Sequence, residues 1–117
     1  MITFIEFQQG IKEHFAYLTN LLTKKGQNYA GDTDPLYNFR QSAKDSGITT
    51  IQSIHNQYNI KHTRLANLLG RGSVSNFESV TDTIDDAIGY LAILKQAIEE
   101  ERVVDLTEKA LNHKIKH

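Results

Sequence analysis

Four acids stand close together in the sequence: Glu78, Asp82, Asp85 and Asp86. On a helix, steps of four, three and four residues place Glu78, Asp82 and one of the two later acids along a single face. Like charges stacked in this way repel by about 0.2–0.5 kcal/mol per pair unless a cation or a basic side chain meets them. Carboxylates projecting together suit Mg²⁺ or Mn²⁺, which take oxygen ligands and leave positions for phosphate oxygens. Glu78, Asp82 and Asp86 are the natural metal-ligand set if such an ion binds. Gly89, one turn on, would let a ligand or another backbone approach closely. The same acids also fit a solvated helix whose positive N-terminal end favours them.

Basic residues collect at Lys24 and Lys25, at Arg40, and at Lys61, His62 and Arg64, with Tyr29, Tyr37, Phe39 and Tyr58 interleaved. Such a mixture can hold a nucleotide, with Lys and Arg on phosphates and a ring under the base. Phe39 and Tyr58 have the spacing of core residues. Tyr29 and Tyr37 flank a polar stretch that offers no helical face to fill. Lys24 and Lys25 also complement the C-terminal end of a helix.

Other chemistries find no support. The five histidines (His14, His55, His62, His113 and His117) show no metal-ligand spacing, and neither a phosphate loop nor a dinucleotide fingerprint is present. The chain has no cysteine, which excludes disulfides and thiolate chemistry. Hydrophobic residues make up 39% and charged residues 23%, with a formal net charge of −1. This balance argues against disorder and against a binder of long nucleic acid, so any phosphate site must be a local cluster. The apolar runs are too short to span a bilayer, and the N-terminus lacks the blocks of a signal peptide. A cytoplasmic protein is expected.

The 117 residues fit one domain, burying roughly two-thirds of its unfolded surface. So modest a core predicts a homo-oligomer. The elements are all helical. Thr3 and Glu6 form a capping box ahead of Phe4, Phe7, Ile11, Phe15, Leu18 and Leu22, an apolar face at three- and four-residue steps, and Gly26 is the expected stop. After a loop from Gln27 to Asp34, Asp34 caps and Pro35 opens a short second helix with Leu36, Phe39 and Ala43 inward, ended by Gly47. Thr49 and Gln52 cap a third helix through Leu65 and Leu68, with a kink or break allowed around Asn59 to His62. Gly70 to Ser73 is a turn. Ser75 and Glu78 cap a long fourth helix from Phe77 to Ile98. Leu106, Ala110, Leu111 and Ile115 mark a last, weaker helix ending in a basic tail. No strand pattern is present, and the expected architecture is an all-α compact bundle of four to five helices.

Two stretches carry a family likeness. Lys25-Gly26-Gln27-Asn28-Tyr29-Ala30-Gly31-Asp32 with Asp34-Pro35-Leu36-Tyr37-Asn38-Phe39-Arg40 resembles the Lys-Gly-x-Asp-Tyr-Gly … Asn-Phe pattern of the phage nucleotide-modification-associated helical domain family. The segment from Glu78 to Leu91 resembles that family's Asp-x-x-x-Asp-x-x-x-Tyr helix, and Lys61-His62-Thr63-Arg64-Leu65 occupies the place of its Lys-x-x-Arg segment. The likeness covers about residues 20 to 98 and implies an all-α phage or prophage protein that binds or acts on nucleotides. A more distant likeness is to the all-α nucleoside triphosphate pyrophosphohydrolases of the MazG type, which hold Mg²⁺ between acidic pairs on two helices. Here the fourth helix supplies one half through Glu78, Asp82 and Asp86. The first helix has only Glu6 and Glu13, and the third has no acid, so the second half is missing.

The reading these features favour is a phage-associated binder of a nucleotide or cyclic nucleotide, in one form a sponge for a nucleotide signal of host defence. Its ligand-binding residues would be Lys25, Tyr29, Asn38, Arg40, Lys61, Arg64, Asp82 and Asp86, with the two aspartates pairing to Lys61 and Arg64 or holding a metal. The alternatives are a Mg²⁺-dependent nucleotide phosphohydrolase, or accessory enzyme of nucleotide modification, using Glu78, Asp82 and Asp86, and a helical protein–protein interaction module.

Overall fold

The computed structural model describes the backbone of residues 1–30, 34–70 and 77–116, and side chains over 1–24, 34–70 and 77–114. Within these the chain forms four helices and no strand: α1 (Phe4–Ala30), α2 (Tyr37–Ser46), α3 (Thr50–Gly70) and α4 (Phe77–Lys116). It divides into two units, Met1–Asn38 and Phe39–His117, so the first turn of α2 goes with α1 and the rest with α3 and α4.

In the first unit, Thr3 caps α1. Its hydroxyl accepts from the Glu6 N–H at 3.1 Å, and its carbonyl accepts the first helical bond from Phe7. The expected stop at Gly26 is not used, and α1 runs on through Gln27 and Asn28 to Ala30. Glycine costs a helix only about 1 kcal/mol, and the residues that follow tolerate helical backbone. The apolar face is also less covered than its periodicity implies. Leu18 is buried, whereas Phe4, Phe7, Ile11 and Phe15 are exposed, Phe4 at 73%. Pro35 does not open α2. Asp34 instead folds a turn, with its Oδ1 accepting from the Leu36 N–H at 3.0 Å and its carbonyl from the Tyr37 N–H at 3.1 Å. Pro35 and Leu36 lie in that turn, and helical backbone begins at Tyr37.

In the second unit, α2 ends in a Schellman motif. Gly47 takes a φ of +69°, its N–H donates to Lys44, and the Ile48 N–H reaches back to the Ala43 carbonyl at 3.0 Å. Thr49 and Gln52 then form the expected capping box. The Gln52 N–H donates to the Thr49 hydroxyl at 3.0 Å, and the Thr49 N–H to the Gln52 side-chain oxygen at 2.9 Å. α3 is unbroken from Thr50 to Gly70, including the polar run 59–62. Polarity exposes one side of a helix without removing a backbone bond, so no break results. The Gly70–Ser73 turn and the Ser75–Glu78 capping box involve positions outside the described residues.

α3 and α4 pack on each other. Lys61 and Asp86 meet across them at equal distances in sequence from Gly70 and Phe77, so the two run antiparallel. Ser53 and Ile54 of α3 are buried, as are Val80, Thr83, Ala87, Gly89 and Ala97 of α4. The buried α4 residues are small, and Ile54 has no surface left exposed. The Thr83 hydroxyl donates to the Ser79 carbonyl at 2.6 Å, so its burial leaves no unmet donor.

The fourth and the expected last helix are one element of 40 residues, about 60 Å long. Residues 99–102 are Glu-Glu-Glu-Arg, good helix formers with no glycine or proline to break the ladder. What changes there is the apolar pattern, which spreads round the helix, with Val104 and Leu111 projecting to an intermediate side. At 100° per residue, Val103, Leu106 and Ala110 project roughly opposite to Val80, Thr83 and Ala87. Every residue from Ile98 to Lys114 is exposed.

Candidate functional site

α4 presents Asp82, Asp86 and Tyr90 at successive four-residue steps, and hence on one face. Two of the three meet partners from other helices of the second unit. Lys61 Nζ of α3 lies 3.0 Å from Asp86 Oδ2, with the two side chains 27% and 32% exposed. One turn further along α4, the Tyr90 ring meets Phe39 of α2 edge-on, with centroids 6.2 Å apart at 88°. Phe39, expected in the core, is therefore half-buried as one wall of an aromatic contact. The ion pair and the ring pair form one strip along α4.

The two flanks of α3 beside Lys61 differ in character. On one, His55 stacks on Tyr58 and Tyr58 meets His62 at a tilt of 35°, at i, i+3 and i+7 with ring centroids 6.0 and 5.9 Å apart. On the other, Ile60, Thr63, Arg64, Asn67 and Leu68 line an open depression of about 390 Å³. Arg64 is exposed there, and among the described residues no ion pair joins it to Asp82. The depression thus offers a guanidinium, a hydroxyl and an amide between two aliphatic side chains. Lys61 sits one turn away, its ammonium already aligned by Asp86.

The remaining candidate residues are scattered. Arg40 of α2 gives one guanidinium nitrogen to both oxygens of Glu100, at 2.8 and 3.0 Å. Asn38 is exposed in the first turn of α2 and belongs to the first unit. The side chains of Lys25 and Tyr29 lie outside the described residues. Glu78 and Asp82 are exposed on α4. Among the described residues, no three His, Asp or Glu side chains gather closely enough to hold a metal ion. Asp86 points its carboxylate at a lysine instead.

Two features escape a reading by residue type. The His55–Tyr58–His62 ladder is visible in sequence only as i, i+3, i+7 aromatic spacing, which a core face shares. Glu100, the partner of Arg40, lies within an acidic run that looks uniformly solvated. No helix is long and apolar enough to cross a membrane among the described residues. No protein-family model matches the chain, and neither a curated protein nor a solved structure shows detectable similarity to it.

Proposed function

We propose that this protein binds a nucleotide, with Arg64 and Lys61 meeting its phosphates, and that it holds the ligand without hydrolysing it. The observation that carries the reading is the juxtaposition on α3 of the Asp86-paired Lys61 and the exposed Arg64, which lines a shallow open depression together with Thr63 and Asn67. A guanidinium binds phosphate oxygens in a bidentate fork, and a nearby ammonium adds a second charge. Thr63 and Asn67 supply hydrogen bonds, while Ile60 and Leu68 offer apolar surface to a sugar or base. The tyrosine and two imidazoles across the ridge provide a second place for a flat ring to stack.

Holding is placed ahead of cleavage because Asp86, one of the three acids of the expected metal-ligand set, is paired with Lys61. The resemblance of residues 25–32, 34–40, 61–65 and 78–91 to the phage nucleotide-modification-associated pattern, which no family model matches, would imply the same ligand class. In a phage setting, the role that needs affinity and no chemistry is sequestration of a nucleotide signal of host defence.

A thermal-shift screen of mono-, di-, tri- and cyclic nucleotides, with and without Mg²⁺ and followed by chromatography of the recovered ligand, tests the proposal. Ligand at 100 times its Kd adds about 2.7 kcal/mol of stability. A nucleotide that stabilises the chain and returns intact supports binding. Cleavage only with metal replaces it with a hydrolase acting through the α4 acids. No shift with any nucleotide removes the reading altogether.

A further inference from the structure

The charges around the Arg64 depression limit how much phosphate it can take. Of the residues that line it, Ile60, Thr63, Arg64, Asn67 and Leu68, Arg64 alone is charged. One guanidinium fork meets two oxygens of one phosphate, and a second phosphate needs a second set of donors. The other lysine or arginine of α3 is Lys61, whose ammonium is paired with Asp86 at 3.0 Å. The depression is also small. At about 390 Å³ it lies near the lower end of the range for small-molecule sites.

The acids of α4 add a penalty for further negative charge. In an antiparallel pair of right-handed helices, projection at about 100° per residue puts Arg64 and the Asp82–Asp86 face on the same side of the α3–α4 seam. Counted from the Lys61–Asp86 pair, Arg64 is level with Thr83, so Asp82 stands at nearly the height of the depression. Asp82 is exposed. With packed helix axes about 8–10 Å apart, its carboxylate acts on an anion at Arg64 well within the Debye length of about 30 Å at 0.01 M salt. Across residues 50–70 and 77–98, the four acids Glu78, Asp82, Asp85 and Asp86 outnumber the three cations Lys61, Arg64 and Lys95. Beyond the reach of the Arg64 fork, the surroundings therefore repel added charge.

We propose that the depression selects a nucleotide carrying a single phosphate, held by Arg64, and that Asp82 and Asp86 turn away di- and triphosphates. The proposal rests on the nucleotide reading above and adds the phosphate number to it. The singly charged diester of a cyclic mononucleotide fits at least as well as the doubly charged monoester. The further phosphates of a di- or triphosphate gain no cation and enter the field of the acids, so affinity falls along the series.

Isothermal titration of the full chain with cyclic AMP, AMP, ADP and ATP, and with the matching guanine series, reads this order. At about 0.01 M salt without Mg²⁺, the single-phosphate ligands of the series that binds should exceed the triphosphate by about fivefold or more. At about 0.15 M salt the gap should shrink, because screening removes the acids' share. Asp82→Asn should narrow the low-salt gap by about threefold, improving ATP more than AMP. A merely structural role for Asp82 would change every affinity alike. Affinity that is level or rises from AMP to ATP, or a gap unchanged in D82N, would overturn the phosphate limit while leaving nucleotide binding in place. A triphosphate that takes the lead once Mg²⁺ is added would also overturn it and assign the α4 acids to a bridging metal. Failure of both series to bind at all would remove the nucleotide reading itself, and this inference with it.

Discussion

Lys61 and Asp86 lie 3.0 Å apart across the α3–α4 seam, each with about two-thirds of its side chain covered. That degree of cover makes the pair more than a surface ornament, since partial desolvation strengthens the attraction and also raises the cost of leaving either charge alone. The same bond ties α3 to α4 one turn from Arg64. Lys61→Met keeps the aliphatic stem and strands the Asp86 charge, so it should destabilise the second unit by about 1–2 kcal/mol in urea unfolding. Asp86→Asn should cost a similar amount, and the double variant should recover part of the loss. Additive single effects would show that the pair is not coupled.

For ligand binding, Lys61 and Arg64 should separate from Arg40. Arg64→Ala is expected to remove the nucleotide-induced thermal shift with little change in the unliganded midpoint, because Arg64 is exposed. Arg40→Ala loses a pair whose side chains are 40% and 50% exposed, worth under about 1 kcal/mol and screened by salt. It should leave nucleotide binding nearly intact. Binding that depends on Arg40 and not on Arg64 would move the site to the α2 end of the strip.

Two glycines should respond with opposite sign to the same substitution. Gly47 has a φ of +69°, and an added Cβ would meet nothing within 4 Å, so the penalty of Gly47→Ala is conformational alone, about 1 kcal/mol. Gly47→Asn should cost less, because asparagine tolerates the left-handed region better than alanine. Gly10 sits inside α1 with equal free space around it, and Gly10→Ala should stabilise that helix by up to about 1 kcal/mol. Denaturant midpoints for the three variants decide the matter.

The contrast between Gly47 and Gly26 shows which parts of the fold a sequence reader can see. Both look like helix stops. Gly47 is followed by Ile48, whose N–H closes on Ala43, and then by the reciprocal cap of Thr49 and Gln52, so three local signals agree. Gly26 is followed by Gln27 and Asn28, which bring no competing cap, and the helix passes through. Pro35 misleads in a related way, because the Asp34 turn uses both its side chain and its carbonyl before helical backbone begins. The long reach of α4 was hidden by the charged run at residues 99–102 and by the spread of apolar residues round the helix beyond it, which divide the pattern and leave the backbone undisturbed. The Phe4, Phe7, Ile11 and Phe15 stripe was legible as a face, yet periodicity does not say whether the same chain covers it. At the site, residue type and spacing brought out Lys61, Arg64 and the α4 acids. The Lys61–Asp86 bond and the Phe39–Tyr90 contact depend on how separate helices pack, which spacing within one helix does not encode.

Thr49 anchors the start of α3 through two reciprocal bonds. Thr49→Ala removes the hydroxyl acceptor for the Gln52 N–H and should cost about 1 kcal/mol. Thr49→Ser should retain most of the stability, since its hydroxyl can make the same bond. A loss as large for serine as for alanine would place the effect in the threonine methyl group and not in the cap.

Arg102→Pro tests whether the tail of α4 is structurally separable from its packed half. Proline at this position deletes the bond to the carbonyl of Ile98 and clashes with that turn, costing about 3 kcal/mol of local helix stability. The packed residues Val80, Thr83, Ala87 and Ala97 all precede it, so the thermal midpoint of the second unit should move by no more than a degree or two, while the helical signal at 222 nm falls as the tail frays. A large drop in the midpoint would mean that the tail carries stability for the α3–α4 pair.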